Sequence, residues 1–166
     1  MAGAKLDGTE GVFDLLNRLS GDTMISTVET GIKRTMQRMV QDARKKCPKD
    51  TEELAKSIFS RVERGSEKNI RAELVAPTEY AIFVEMGTGP KGEAGVSSAD
   101  VSPEIRKTVT YNATGWFTRS KKDGTPTMSQ GMAPSPYLYP AYKENAPKLL
   151  KDVKAAAIRV IKGGGV

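Results

Sequence analysis

The sequence predicts a one-domain α+β fold in which a small antiparallel sheet packs against a long N-terminal helix and a C-terminal helix. Three observations support this: an apolar stripe at helical spacing over residues 24–47, two short segments of alternating apolar residues after it, and a second helical stripe over 149–161. Each helix needs a surface that covers its stripe, and the strands between them in sequence can supply it. A chain of 166 residues is long enough for one such domain.

The first part of the chain is predicted to form two helices. Residues 9–19 carry four apolar residues at helical spacing: Val12, Leu15, Leu16 and Leu19. The helix over 24–47 has an apolar stripe from Ile25 to Cys47. Pro48 ends this helix, because the residue before a proline is disfavoured in the α region. The opposite face of the helix is basic, with Lys33, Arg34, Arg38, Arg44 and Lys45.

A helical turn and a hairpin are predicted next. The turn over 52–56 directs Leu54 inward. Strands over 57–64 and 70–74 alternate apolar and polar residues, and a short polar turn joins them. Two strands joined by so short a connection pair in antiparallel fashion, so this hairpin is expected to form the sheet.

A short helix is predicted after Pro77 and Thr78. In this helix Tyr80, Phe83 and Val84 fall on one side. Gly87 follows the last turn, where a left-handed backbone conformation suits glycine. The helix is therefore expected to end just before Gly87.

Two segments are predicted to be mobile loops, residues 87–103 and 120–132. Both are rich in glycine and polar residues and offer little apolar surface to bury. Between them, residues 106–111 and 115–119 are predicted to form a second hairpin.

The C-terminal helix is predicted to start at Pro140 and to be kinked or restarted near Pro147. Residues 163–166 are expected to fray. The apolar face of the helix comprises Leu149, Leu150, Val153, Ala156, Ala157, Val160 and Ile161.

Composition argues against most catalytic chemistry. The sequence has no histidine, which removes the commonest general base and the Ser-His and Cys-His nucleophile pairs. Cys47 is the single cysteine, so it cannot form an internal disulfide, and we interpret it as an apolar helix position. We expect no enzymatic activity, no metal and no cofactor. The formal net charge of +6 is compatible with either nucleic acid or an acidic protein partner.

Two local patterns could suggest chemistry. Gly87, Gly89 and Gly92 match the glycine pattern of dinucleotide-binding folds, but that pattern requires a strand before the glycines, and Pro90 lacks one of the required N–H donors. Glu79 and Glu85 flank Tyr80 but are six residues apart, so they need not converge as an acid–base pair. A structural pairing of Glu85 with a basic residue, of this chain or of another subunit, is the expectation for this carboxylate.

Three short motifs, in this order, carry a family resemblance. The first motif is residues 48–58, the second motif is residues 80–90, and the third motif is residues 134–141. Together they resemble the HK97-gp10-like family of tailed bacteriophages, over roughly Lys5 to Ile161. The sequence departs from the family at Glu52 (usually glycine), Lys91 (often histidine) and Tyr137 (usually phenylalanine).

The resemblance implies a structural virion protein of the neck, made in the bacterial cytoplasm, which completes the tail and joins it to the head. It implies a closed ring, of six subunits, and contacts with other neck proteins, the tail terminator or the tail tube, and in passing with genomic DNA. A ring needs two complementary patches on each subunit. The candidate assembly residues are Arg34, Arg38, Glu79, Tyr80, Phe83, Glu85, Gly87, Gly89, Tyr137 and Leu138.

The alternative function is non-specific nucleic-acid binding by the basic face of helix 24–47. Against it, stacking aromatic residues are sparse and no groove-reading motif is present. The basic face could equally be a solvated helix surface or an electrostatic surface for a protein partner.

Overall fold

The computed structural model describes residues 21–49, 52–65, 69–97, 99–120 and 122–162. It confirms the α+β class, with a long N-terminal helix, small antiparallel sheets and a C-terminal helix. The predicted helix over 9–19, with Val12, Leu15, Leu16 and Leu19, and the predicted fraying of 163–166 lie outside the described residues. The elements are α1 (Gly21–Lys46), α2 (Glu52–Ser57), β1 (Phe59–Arg64), β2 (Ile70–Val75), α3 (Ala81–Met86), α4 (Gly89–Val96), α5 (Pro103–Arg106), β3 (Trp116–Arg119), β4 (Pro126–Ser129), α6 (Leu138–Asn145), a 3-10 turn (Ala146–Lys148) and α7 (Leu149–Ile161).

The described chain divides into two compact units, each assembled from separate segments. The first unit contains residues 21–38, 60–73 and 145–162, and the second contains 39–59 and 74–144. Each sheet has two strands, β1 with β2 and β3 with β4. None of the described helices is long and apolar enough to cross a lipid bilayer.

In the first unit, α7 lies directly against α1. A Cβ added to Gly31 would come within 2.6 Å of the backbone Cα of Val153, so only a glycine allows this approach. One turn further along α1, the buried Asp152 carboxylate accepts hydrogen bonds from the Thr35 hydroxyl (2.6 Å) and from both terminal nitrogens of Arg38. The two-pronged geometry matches the planar guanidinium to the carboxylate and fixes the register of the two helices.

In the second unit, the core gathers residues from three regions that are distant in sequence, 40–58, 81 and 137–141. Leu54 is 1% exposed, as the sequence predicts. Ile58, predicted to lie in the first strand, is fully buried but occupies the single residue between α2 and β1. A second small cluster comprises Met86, Val96 and Val101. The buried members of the main cluster are Val40, Ala43, Cys47, Leu54, Ile58, Ala81, Tyr137 and Ala141.

The expectation that residues 87–103 lack regular structure is wrong, because α4 occupies half of that segment. Its glycines act as packing positions: a Cβ on Gly92 would lie 2.7 Å from the Gly87 carbonyl carbon and 2.8 Å from the Tyr111 ring. Val96 and Val101 are buried. Glycine content therefore marks close backbone approach in this segment, and the predicted mobility stays a prediction.

The second hairpin is also displaced from its predicted position. Strand β3 pairs antiparallel with β4 (Pro126–Ser129), so the middle of the expected loop 120–132 contains a strand. Its turn contains Gly124 at φ 71°, and the Ser120 amide donates to the Thr125 carbonyl (2.9 Å). The predicted strand over 106–111 is wrong: Pro103 starts a helical turn that ends at Arg106, and residues 107–111 continue as a turn and irregular backbone.

Two predicted apolar faces need correction. Phe83 is 53% exposed, and α3 instead buries Ala81, Glu85 and Met86. On α7 the small residues Ala156 and Ala157 are buried with Val153, whereas Leu149, Leu150 and Ile161 are exposed. Close helix packing requires the small side chains, which turns the larger ones outward. The restart of the C-terminal helix near Pro147 is confirmed by the 3-10 turn.

Replacing Asp152 tests the lock between α1 and α7. Burial raises the pKa of Asp152, but the hydrogen bonds from Arg38 and Thr35 outweigh this effect and hold the pKa below its ordinary value. Because its pKa is lower in the folded state, the ionised Asp152 carboxylate stabilises the fold at pH values above its unfolded pKa of about 3.9. This stabilisation is lost as the pH falls through the folded pKa. Asp152→Asn should therefore lower the free energy of unfolding at pH 7 by about 1–3 kcal/mol.

Urea unfolding at pH 7 and at pH 3 measures this effect. The gap between the native chain and Asp152→Asn should narrow at pH 3, and the exposed control Glu53→Gln should stay within about 0.5 kcal/mol of the native chain. An Asp152→Asn variant as stable as the native chain at pH 7 would contradict the lock.

Candidate functional site

The Glu85 carboxylate joins two segments that are far apart in sequence. Glu85 is 4% exposed, and its Oε2 accepts hydrogen bonds from the backbone N–H groups of Tyr137 (2.7 Å) and Leu138 (2.9 Å). Its Oε1 accepts from the N–H of Tyr139 (2.9 Å). Helix α6 begins at Leu138, so these are N–H groups that have no partner within the helix. A buried negative charge at this end also complements the helix dipole.

This geometry replaces the expected partner of Glu85. The sequence suggests a basic residue of this chain or of a neighbouring subunit, and that expectation is wrong, because the partners are three backbone N–H groups of the same chain. The helix N-terminus supplies the positive potential that an arginine would otherwise provide. The Ser135 amide adds a bond to the Val84 carbonyl (2.9 Å) and extends the junction.

The first motif meets the other two in the same core. Leu54 and Ile58 belong to the apolar cluster that also contains Tyr137 and Ala141. Tyr137 is fully buried, and its burial raises the pKa of the phenol well above the usual value, so the ring stays neutral. Burial likewise raises the pKa of Cys47, which agrees with an apolar position and not with a reactive thiolate. The residues that carry the family resemblance thus build the interior of the second unit.

The second motif ends in a glycine pair that anchors the second hairpin. Gly87 and Gly89 both have positive φ, 76° and 60°. Between them, Thr88 exchanges backbone hydrogen bonds with Met132 (2.8 and 3.0 Å). A Cβ on Gly89 would lie 2.9 Å from the Trp116 ring. These contacts fix the base of the hairpin.

The same contacts bear on the dinucleotide pattern. Helix α4 does start at Gly89, but the N–H groups of its first turn are already used: Lys91 donates to Gln130 O and Gly92 to Thr88 O, both at 3.0 Å. Pro90 has no N–H. A phosphate cradle needs these donors free, and within the described residues this turn does not offer them.

One face of the hairpin carries large apolar side chains with little cover. Phe117 is 76% exposed and Met128 is 44% exposed. The two are register partners, so they share a face. Trp116 points to the other face, toward Gly89.

A groove of about 730 Å³ in the second unit is also largely apolar. At its rim, Tyr139 and Tyr142 stack with ring centroids 6.2 Å apart. Ile82, Ile105 and Tyr142 are each at least 40% exposed. The lining comprises Leu74, Ala76, Ala81, Ile82, Glu85, Met86, Ser102, Glu104, Ile105, Leu138, Tyr139 and Tyr142.

Much of the basic face of α1 is paired within the chain. Lys33 contacts Glu29 (2.5 Å), and Arg38 is held by Asp152. Arg44 donates to the Ile58 carbonyl (2.7 Å). These pairings reduce the charge that the face can present to phosphates.

The predicted assembly residues therefore separate into two groups. Arg38, Glu85, Gly87, Gly89 and Tyr137 form internal contacts, while Tyr80 and Leu138 are half-buried against the main core cluster. Glu79 and Phe83 are exposed, and Arg34 is half-buried.

Sequence reasoning missed Phe117, Met128 and the groove. The exposed aromatic residue in a short strand was the available signal for the first two. Among the described residues, no cluster of three or more carboxylate, thiol or imidazole side chains could hold a metal ion.

Comparison with protein families relates part of the chain to phage tails. Residues 14–87 match a family model, HK97-gp10-like, described as "Bacteriophage HK97-gp10, putative tail-component". The stretch covers fewer than half of the residues, contains the first motif and ends within the second. No curated protein and no solved structure gives a significant match.

The family match confirms the resemblance that the motifs predict, over the residues it covers. It supports a class of protein: a structural protein related to phage tails and located in the virion. Within that class, the chain is similar to the HK97-gp10-like tail components.

Removing the Glu85 carboxylate should destabilise the second unit. Glu85→Ala leaves three N–H groups without acceptors, that of Tyr137 buried and those of Leu138 and Tyr139 partly buried, at about 1–3 kcal/mol each. The expected loss is at least about 3 kcal/mol, or about 10 °C in Tm for a chain of this size. Glu85→Gln should lower the stability less, because its amide oxygen can still accept the hydrogen bonds made to Oε2. Some loss remains, because its NH₂ group would face the Tyr139 N–H.

Thermal unfolding followed by circular dichroism measures this effect, with the exposed Glu79→Ala as the matched control on the same segment. The control should shift Tm by no more than about 2 °C. Equal shifts for Glu79→Ala and Glu85→Ala would refute the capping role.

The glycine anchor can be tested with the single tryptophan of the sequence. Gly89→Ala adds both left-handed backbone strain of about 1–2 kcal/mol and a clash with Trp116. Gly124→Ala adds the strain alone, since nothing lies within 4 Å of its new Cβ. We expect Trp116 fluorescence to shift to longer wavelength in Gly89→Ala and to stay unchanged in Gly124→Ala. An unchanged spectrum in both variants would contradict the anchor.

Proposed function

We propose that this protein is a tail-completion, head–tail joining subunit of a tailed bacteriophage, which forms a closed ring in the neck of the virion. The observation that carries the proposal is the match of residues 14–87 to a phage tail-component family. A ring of six subunits follows from the six-fold rings of long phage tails, to which a neck subunit would be joined. In this role the chain acts by binding its neighbours and turns over no substrate.

The distribution of residues supports an assembly role. Many of the motif residues are buried in the core, so the surface of the second unit is formed largely by other residues. That surface carries the exposed hairpin face with Phe117 and Met128 and the groove with Ile82, Ile105 and Tyr142. Exposed apolar patches of this kind mark interaction sites on small proteins. The partners in this proposal are further copies of the chain, other neck proteins, and the tail terminator or tail tube.

The alternative, non-specific nucleic-acid binding, has weaker support. The net charge of +6 favours it, but Lys33, Arg38 and Arg44 contact acceptors within the chain. In the proposed ring, the remaining positive charge would ease the passage of DNA. Duplex binding by the isolated chain should therefore be weak, and tight binding with a steep salt dependence would favour the alternative.

Loss of the protein during infection tests the proposal. A phage with an amber codon in this gene, grown in a non-suppressing host, should accumulate separate filled heads and tails, and the cloned gene should restore joined particles. Cryo-electron microscopy of complemented virions should show this chain as a ring around the axis at the head–tail junction. Infectious particles that lack the chain, or density for it away from the axis, would contradict the proposal.

A further inference from the structure

We propose that the hairpin β3–β4 of one copy docks in the apolar groove of the next copy, with Phe117 and Met128 entering beside Ile82, Ile105 and Tyr142. The inference deepens the proposed function and rests on it, because it identifies the contact through which the ring would close. It assigns the projecting surface and the receiving surface to the second unit of every copy.

The hairpin has one anchored face and one uncovered face. Phe117 pairs with Met128, and Arg119 pairs with Pro126. Because side chains alternate along a strand, these four residues share the face opposite Trp116, whose ring is held at Gly89. All four are exposed. An isolated two-stranded hairpin is marginally stable in water, so an apolar face exposed on it indicates a surface that a partner covers.

The groove has a volume and an apolar character that suit this face. Its volume of about 730 Å³ lies within the range of sites that enclose a bound group, about 300–1,000 Å³. Exposed Ile82, Ile105 and Tyr142 supply apolar contact surface. No residue of the hairpin contributes to its lining, so the hairpin of the same copy leaves the groove open.

Charge favours a second copy as the occupant. The charged residues of the groove lining are two carboxylates, Glu85 and Glu104, with no lysine or arginine among the described lining residues. Glu85 is committed to capping α6, which leaves Glu104 exposed at the groove. Residues 116–129 contain three basic residues and one acidic residue, a formal net charge of +2. Arg119 lies on the docking face, so its guanidinium can meet the Glu104 carboxylate.

The arrangement is heterologous, since the projecting patch and the receiving patch are different surfaces of the same chain. Repeated head-to-tail, such a contact closes into a ring when the rotation between copies permits it. One hairpin face is a small interface, below the usual size for a stable complex. Each contact is therefore expected to be weak alone and to persist when every copy in the ring is held by two neighbours.

Cysteine cross-linking in the virion tests the contact directly. The full chain carrying Phe117→Cys together with Ile105→Cys should give, after oxidation of purified virions, a ladder of covalent oligomers on a non-reducing gel. The natural Cys47 is 3% exposed and does not interfere. Thr118→Cys with Ile105→Cys is the matched control, because residue 118 lies on the opposite face of the same strand. Absence of a ladder from the first pair, or equal ladders from both pairs, would overturn the contact.

A charge exchange tests the polar part of the same contact. Arg119→Glu should lower the titre of infectious particles at least tenfold, and adding Glu104→Arg should restore most of it. Circular dichroism and Trp116 fluorescence of the purified variants check that the fold is kept. If the double variant is no better than Arg119→Glu, the proposed pairing is wrong.

The two proposals fail in different ways. Virions that contain the chain but show no Phe117–Ile105 cross-link and tolerate Phe117→Asp overturn the docking contact and leave the neck function standing. Absence of the chain from purified virions, measured by immunoblot, overturns the neck function and the docking contact with it.

Discussion

The fold of the second unit depends on one buried carboxylate. Glu85 lies at the end of a six-residue helix that is too short to be stable alone, and it accepts the first N–H groups of α6 from 52–54 positions away. Burying a charge is costly unless it is fully hydrogen-bonded, and burying a helix end is costly unless its donors are satisfied. The carboxylate of Glu85 satisfies the N–H groups at the start of α6, and these N–H groups stabilise the buried charge of Glu85. The same hydrogen bonds therefore hold α3 and α6 together.

This constraint explains why the three motifs occur together. The first motif supplies Leu54 and Ile58, the second supplies Glu85, and the third supplies the capped N–H groups and the buried Tyr137. Loss of any one leaves a cavity or an unpaired polar group in the others. The resemblance to phage tail components is therefore a resemblance of the core. Of the surfaces that would join one copy to another, Phe117 and Met128 lie outside the residues matched by the family, whereas the groove takes its lining from both matched and unmatched residues.

The sequence predicted those elements whose determinants are local. The stripe of α1, its end at Pro48, the first hairpin and the restart at Pro147 depend on spacing and on proline geometry, which a linear sequence shows. The partner of Glu85 could not be read in this way, because backbone N–H groups leave no mark in composition. Residues 87–103 were misjudged for a related reason: Gly92 looks like a breaker until its contact with Tyr111 is known.

Amide hydrogen exchange at Tyr137, Leu138 and Tyr139 is the most direct test of the central claim. If Glu85 holds these N–H groups, they should exchange only through unfolding of the second unit. Their exchange should then be about as slow as that of the amides in the middle of α1, and much slower than that of a frayed helix end. In Glu85→Gln, the Tyr139 amide should lose protection first, because its acceptor is replaced by an NH₂ donor. Rapid exchange at all three amides in the native chain, at the rate of an uncapped helix terminus, would contradict the account.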